Sequence, residues 1–162
     1  LKHAGLDLSE AALRHGLEQT RWPGRLEWLP ERTLLDGAHN AAGAQVLADY
    51  LQQQDLKQVH LVVGLKADKQ VEELLTPLLP FVGQLYATRP PVDAAIEPGK
   101  LVQLAKKSGI LAAEYADPQA ALAAAQGNRK PGQVLLVAGS LFLVAAIREK
   151  LLTSTELLSI SN

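Results

Sequence analysis

Short apolar runs that alternate with longer helix-patterned runs constrain this chain more than any other feature. The runs "TLLD", "VHLVVGL", "QLYAT", "ILAAEY" and "QVLLVAG" have the length and composition of buried strands. Between and after them come "NAAGAQVLADYLQQQ", "DKQVEELLTPLLP", "EPGKLVQLAKK", "DPQAALAAAQGN" and "SLFLVAAIREKLL", each with apolar residues at about every third or fourth position. A strand followed by a crossover helix returns the chain parallel to itself. Strands apolar on both sides need helices on both faces, as in "VHLVVGL" and "QVLLVAG". The expected fold is therefore α/β, a Rossmann-like, mostly parallel sheet covered on both faces.

At 162 residues the chain suffices for one domain with its own core. A lead-in helix, "SEAALRHGLEQT" with Ser9 as its N-cap, is expected within residues 1–22. Pro23-Gly24 then turns the chain into a short strand, the α/β core runs over 23–152, and 153–162 reads as a fraying tail. The sequence contains no methionine, so a fragment of something longer is expected.

Composition removes several classes of function. Net charge is -1 with scattered Lys and Arg, which offers no footprint for nucleic acid or an anionic membrane. The apolar stretches are interrupted and read as strand plus helix, not as a membrane span. With no cysteine there is no thiolate nucleophile, disulfide scaffold or Cys-based zinc site, and the four histidines are isolated from one another. No metal site is expected on this chain. No signal peptide is visible, which suits a cytoplasmic protein. Neither the P-loop nor the dinucleotide fingerprint is present, so a nucleotide would meet this chain only as the second half of a site.

In an open parallel sheet, ligands collect at the carboxyl ends of the strands, where the following helices present free N–H groups. Those ends carry Asp36-Gly37-Ala38-His39-Asn40, Gly64 to Lys69, Thr88-Arg89-Pro90-Pro91 and Gly139-Ser140. Asp36 reads equally as a helix cap and as a ligand group, while Gly37 allows a ligand to approach the backbone. Ser140 reads as an N-cap or as part of an anion site, the Lys69 loop as a solvated turn or a cation source, and Arg25 as a phosphate contact or a surface residue.

These residues carry a resemblance. "WPGRLEWLPERTLLDGAHNAAGAQVLADYL" is similar to the C-terminal domain of the folylpolyglutamate synthase/dihydrofolate synthase family, within the Mur ligase superfamily. The shared features are Pro23-Gly24-Arg25, then Asp36-Gly37-Ala38-His39-Asn40, the loop "GLKADKQ" and the turn "AGSLF". The resemblance implies a Mur ligase C-terminal type of α/β domain, from an enzyme that activates a pteroate or folate carboxylate with ATP and Mg2+ as an acyl phosphate and joins it to L-glutamate. It assigns Arg25 and Asp36 to ATP and both His39 and Ser140 to glutamate, with His39 also catalytic. Asn40, Lys69 and Arg89 are secondary candidates. The P-loop and the metal ligands would belong to an N-terminal ATPase domain, the partner of this one in a monomeric enzyme, and this domain alone would be inactive. Two other readings are a cell-wall Mur ligase domain, whose Asp-Asn-Pro-Arg acceptor motif is not found here, and a noncatalytic α/β binding module.

Overall fold

The structure is a computed structural model that describes residues 9–20 and 22–160. Of the expected lead-in and tail, residues 1–8, 21 and 161–162 lie outside the described residues. The strands are β1 (Glu27–Leu29), β2 (Thr33–Leu35), β3 (Val59–Val63), β4 (Val82–Ala87), β5 (Leu111–Glu114) and β6 (Leu135–Ala138). The helices are α1 (Glu10–Gln19), α2 (Ala41–Gln53), α3 (Val71–Leu75), α4 (Pro98–Lys107), α5 (Pro118–Asn128) and α6 (Leu141–Ile160). The strands form one sheet in the order β1-β2-β6-β3-β4-β5, parallel except for the β1–β2 hairpin.

Side chains alternate across the sheet as the pleat requires. Leu34, Leu61, Val63, Leu85, Leu136 and Ala138 join one core cluster with residues of α2, α3 and α4. Leu35, Val62, Tyr86, Leu135 and Val137 join the other with residues of α5 and α6. Ala44 and Ala48 of α2 are buried, and their small side chains let that helix lie close to the sheet. The parallel sheet with two helical layers is the α/β fold expected from the sequence. Among the described residues no helix is long and apolar enough to cross a membrane.

Two helices differ from expectation. The run 68–80 yields only Val71–Leu75 and a separate 3-10 turn at Leu79–Phe81. Pro77 has no N–H to continue the ladder, and the chain tightens through a Leu78 N–H to Leu75 carbonyl bond instead. The last helix is longer than the run 140–152 suggested, because α6 continues to Ile160. Nothing between Leu141 and Ile160 is Gly or Pro, and the Thr153 hydroxyl donates back to the Glu149 carbonyl inside the helix. At the other end, Ser9 caps α1 as expected, its Oγ accepting from Ala12 N–H at 3.1 Å.

Candidate functional site

The sheet order creates the site. Because β6 inserts between β2 and β3, residues 36–40, 139–140 and 64–69 leave adjacent strands side by side. Leu35 pairs with Val137 and Val137 with Val62, so the three strands end nearly level. The Asp36 N–H bonds Val137 O at 3.0 Å and the Gly139 N–H bonds Ala38 O at 2.9 Å, which extends the pairing past the ends of the strands.

These ends enclose a pocket of about 210 Å3 lined by His39, Lys66, Lys69 and Ser140, with Gly139, Leu141 and Phe142 completing the wall. A larger groove, about 530 Å3, lies at the amino ends of the strands among Leu29, Pro30, Leu122 and Leu151. The smaller pocket is the chemical one, since it gathers an imidazole, a hydroxyl and two ammonium groups.

Each polar side chain in it has a defined state. His39 Nδ1 lies 2.8 Å from the Gly37 carbonyl, which only accepts, so Nδ1 carries the hydrogen and the neutral ring keeps a lone pair on Nε2. No partner occupies Nε2 among the described residues. Ser140 is buried and N-caps α6: its Oγ accepts the Phe142 N–H at 3.2 Å while its carbonyl takes the first helical bond, from Val144. The positive end of α6 therefore opens at the pocket. Lys69 pairs with Asp68 at 3.1 Å, and this hydrogen bond holds the Asp68 carboxyl below its ordinary value. Lys66 extends toward Phe142, its Nζ 6.0 Å from the ring centroid.

Arg25 and Asp36 belong to a turn beside the pocket. Asp36 is buried, and both its oxygens serve the backbone: Oδ1 accepts from Ala38 N–H at 2.8 Å and Oδ2 from Leu26 N–H at 2.9 Å. It ties the end of β2 to the Pro23-Gly24-Arg25 segment, and the Gly37 N–H to Gly24 carbonyl bond at 2.7 Å doubles the tie. The Arg25 side chain is exposed and has no hydrogen bond or ion pair among the described residues. The sequence reading of Gly37 needs correction, because a Cβ there would meet Leu141 Cδ2 at 2.2 Å. The space it leaves is filled by α6, not kept open for a ligand.

The remaining candidates stand apart from the pocket lining. Asn40 N-caps α2, accepting from Gly43 N–H at 2.8 Å. Arg89 is drawn to Glu97. Among the described residues no three His, Asp or Glu side chains group as metal ligands. Lys66 stood among the strand-end residues Gly64 to Lys69 in the sequence without a role of its own, and it lines the pocket with Lys69.

A family model described as dihydrofolate synthetase, C-terminal domain, matches residues 29–151. The chain belongs to this family. The folylpolyglutamate synthase of Lacticaseibacillus casei is 31% identical over 147 residues, 90% of this chain and 33% of that protein. The crystal structure of bifunctional folylpolyglutamate synthase/dihydrofolate synthase from Yersinia pestis, complexed with AMPPNP and Mn ion, matches with a TM-score of 0.79 and 28% identity, over 93% of this chain and 36% of that one. A crystal structure of a synthase of the same description with Mn, AMPPNP and L-glutamate bound matches with the same TM-score, identity and coverage. The chain spans between 17% and 34% of the length of the curated relatives it matches. Within this dihydrofolate synthetase C-terminal domain, the matched span takes in Asp36 to Asn40, Lys66, Lys69 and Ser140, and Arg25 lies just before it.

Proposed function

We propose that this chain is the C-terminal part of an ATP-dependent ligase that joins L-glutamate to a pteroate or folate carboxylate through an acyl phosphate. The observation that carries the reading is the convergence of His39 Nε2, Ser140 at the head of α6, Lys66 and Lys69 in one pocket, beside an Arg25 unpaired among the described residues. Relatives with an ATP analogue, Mn and L-glutamate bound support the choice of substrates.

Glutamate brings two carboxylates and an amine. The lysines and the α6 N-terminus answer the carboxylates. The amine attacks the acyl carbon, phosphate leaves, and His39 Nε2 takes up the proton that the amine loses. Arg25 neutralises charge on the transferring phosphoryl group, for which a free guanidinium suits. Asp36 borders the nucleotide, its oxygens each keeping a lone pair beyond the backbone bond they accept. Magnesium accompanies ATP, and its protein ligands are assigned to the rest of the ligase, as is the phosphate loop. This domain alone is then inactive.

The test uses the full-length ligase that contains this domain. His39→Ala and Ser140→Ala should raise KM for glutamate about tenfold or more with KM for ATP nearly unchanged, and His39→Ala should lower kcat as well, because it also removes the group that takes the amine's proton. Arg25→Ala should lower kcat/KM for ATP by about ten- to hundredfold, the loss of one charge-assisted contact. With folding verified by circular dichroism, a joint shift of glutamate and ATP dependence in the His39 and Ser140 variants would remove the acceptor assignment.

A further inference from the structure

We infer that the Glu27–Arg148 ion pair positions Arg25 for ATP by locking the turn that presents it. The inference rests on the reading of Arg25 as a phosphate contact. With no side-chain partner among the described residues, the Arg25 guanidinium takes its direction from the backbone of its turn alone. That backbone is strained at Leu26, whose φ of +43° lies in the left-handed region a bulky residue seldom enters, while Gly24 beside it takes φ +71° as only glycine does freely. Strain of this kind persists only where neighbours over-determine it.

Glu27 is one of those neighbours. Its Oε2 accepts the Gly24 N–H at 2.7 Å, and its two oxygens receive Arg148 Nε at 3.0 and 2.9 Å. Burial alone would raise the Glu27 carboxyl, but the Arg148 guanidinium and the Gly24 N–H outweigh it and hold it below the ordinary carboxylate value. Arg148 stands on α6, whose Val144 presses on Gly24 so closely that a Cβ there would lie 2.9 Å from Val144 Cγ1. The same helix opens at the glutamate pocket through Ser140. An ordinary surface ion pair contributes little to stability. This one joins the helix at the acceptor pocket to the turn that carries the phosphate-binding cation.

In the full-length ligase, Glu27→Ala and Arg148→Ala should each lower kcat/KM for ATP about tenfold while KM for glutamate holds, and Arg148→Lys should recover most of the loss. If Glu27 acts through Arg25, adding Glu27→Ala to Arg25→Ala should lower ATP efficiency no further than Arg25→Ala does alone. Independent, multiplying losses would overturn the inference, and so would equal losses in ATP and glutamate dependence. A damaging Arg25→Ala with a silent Glu27→Ala would overturn the positioning role alone. A silent Arg25→Ala would overturn the phosphate reading and the inference with it.

Discussion

Gly139 shows how one absent side chain shapes the site. Its φ is +102°, and a Cβ there would lie 2.8 Å from the Gly64 carbonyl oxygen, a backbone atom with nowhere to go. Gly37 is tighter on paper, yet the atom it would meet is the far end of Leu141, which can turn away. Left-handed strain and backbone collision together should make Gly139→Ala destabilising by about 3 kcal/mol, with Gly37→Ala clearly milder. Urea denaturation of both variants checks the order, and a Gly139→Ala protein as stable as the parent would refute the account. At this scale the sequence was legible in residue identity and less so in residue duty. The placing of His39 and Ser140 at neighbouring strand ends was readable from the strand-helix alternation, and both line one pocket. The double backbone service of Asp36 depends on Leu26, ten residues earlier, and the salt bridge of Glu27 on Arg148, far along the chain. No local pattern encodes such pairs.

A second polar cluster joins three elements away from the site. His60 of β3 is buried, with Nδ1 at 2.9 Å from the Tyr86 hydroxyl of β4 and Nε2 at 3.1 Å from Gln133 Oε1. Gln133 Oε1 only accepts, so Nε2 carries the hydrogen and the Tyr86 hydroxyl donates to Nδ1, while Asn128 at the end of α5 bonds Tyr86 in turn. Burial lowers the His60 pKa from its ordinary 6.5; the Gln133 bond works the other way, and the Arg129 charge adds to the lowering. The unfolded chain therefore takes up this proton before the folded one does. The His60 contribution is whole above about pH 6.5 and is lost as the pH falls from there through the lower folded value. Between pH 7.5 and 5.5 the parent should lose more unfolding free energy than His60→Gln, and parallel curves would dismiss the effect. Among elements, strands were the most legible, because runs buried on both faces have no other home. Strand order was not: the insertion of β6 between β2 and β3 depends on which face each crossover helix covers, and no residue in "QVLLVAG" states its neighbours.

On the scale of the molecule, two facts set what the chain does by itself. Both faces of the sheet are covered, by α2, α3 and α4 on one side and α5 and α6 on the other, so the core is complete without help. The chemical edge is not: Leu141 and Phe142 remain 44% and 53% exposed at the pocket wall, and the exposed Arg25 side chain has no partner among the described residues. On the proposed reading, an acyl phosphate left open to water would hydrolyse, and amide formation would need a second body to close over this edge. The phosphate loop is also missing from the sequence, and one arginine cannot replace the backbone cradle that holds a triphosphate. The 162-residue chain should accordingly unfold in one cooperative transition followed by circular dichroism, yet release no phosphate from ATP when supplied with glutamate and folate. Mixing it with the separately produced remainder of the ligase should restore turnover that saturates with domain concentration, because the two half-sites then assemble by mass action. Phosphate release by the chain alone would refute the half-site account. A folded chain that never restores turnover would show that the covalent link between the domains, and not only their surfaces, is required for closure.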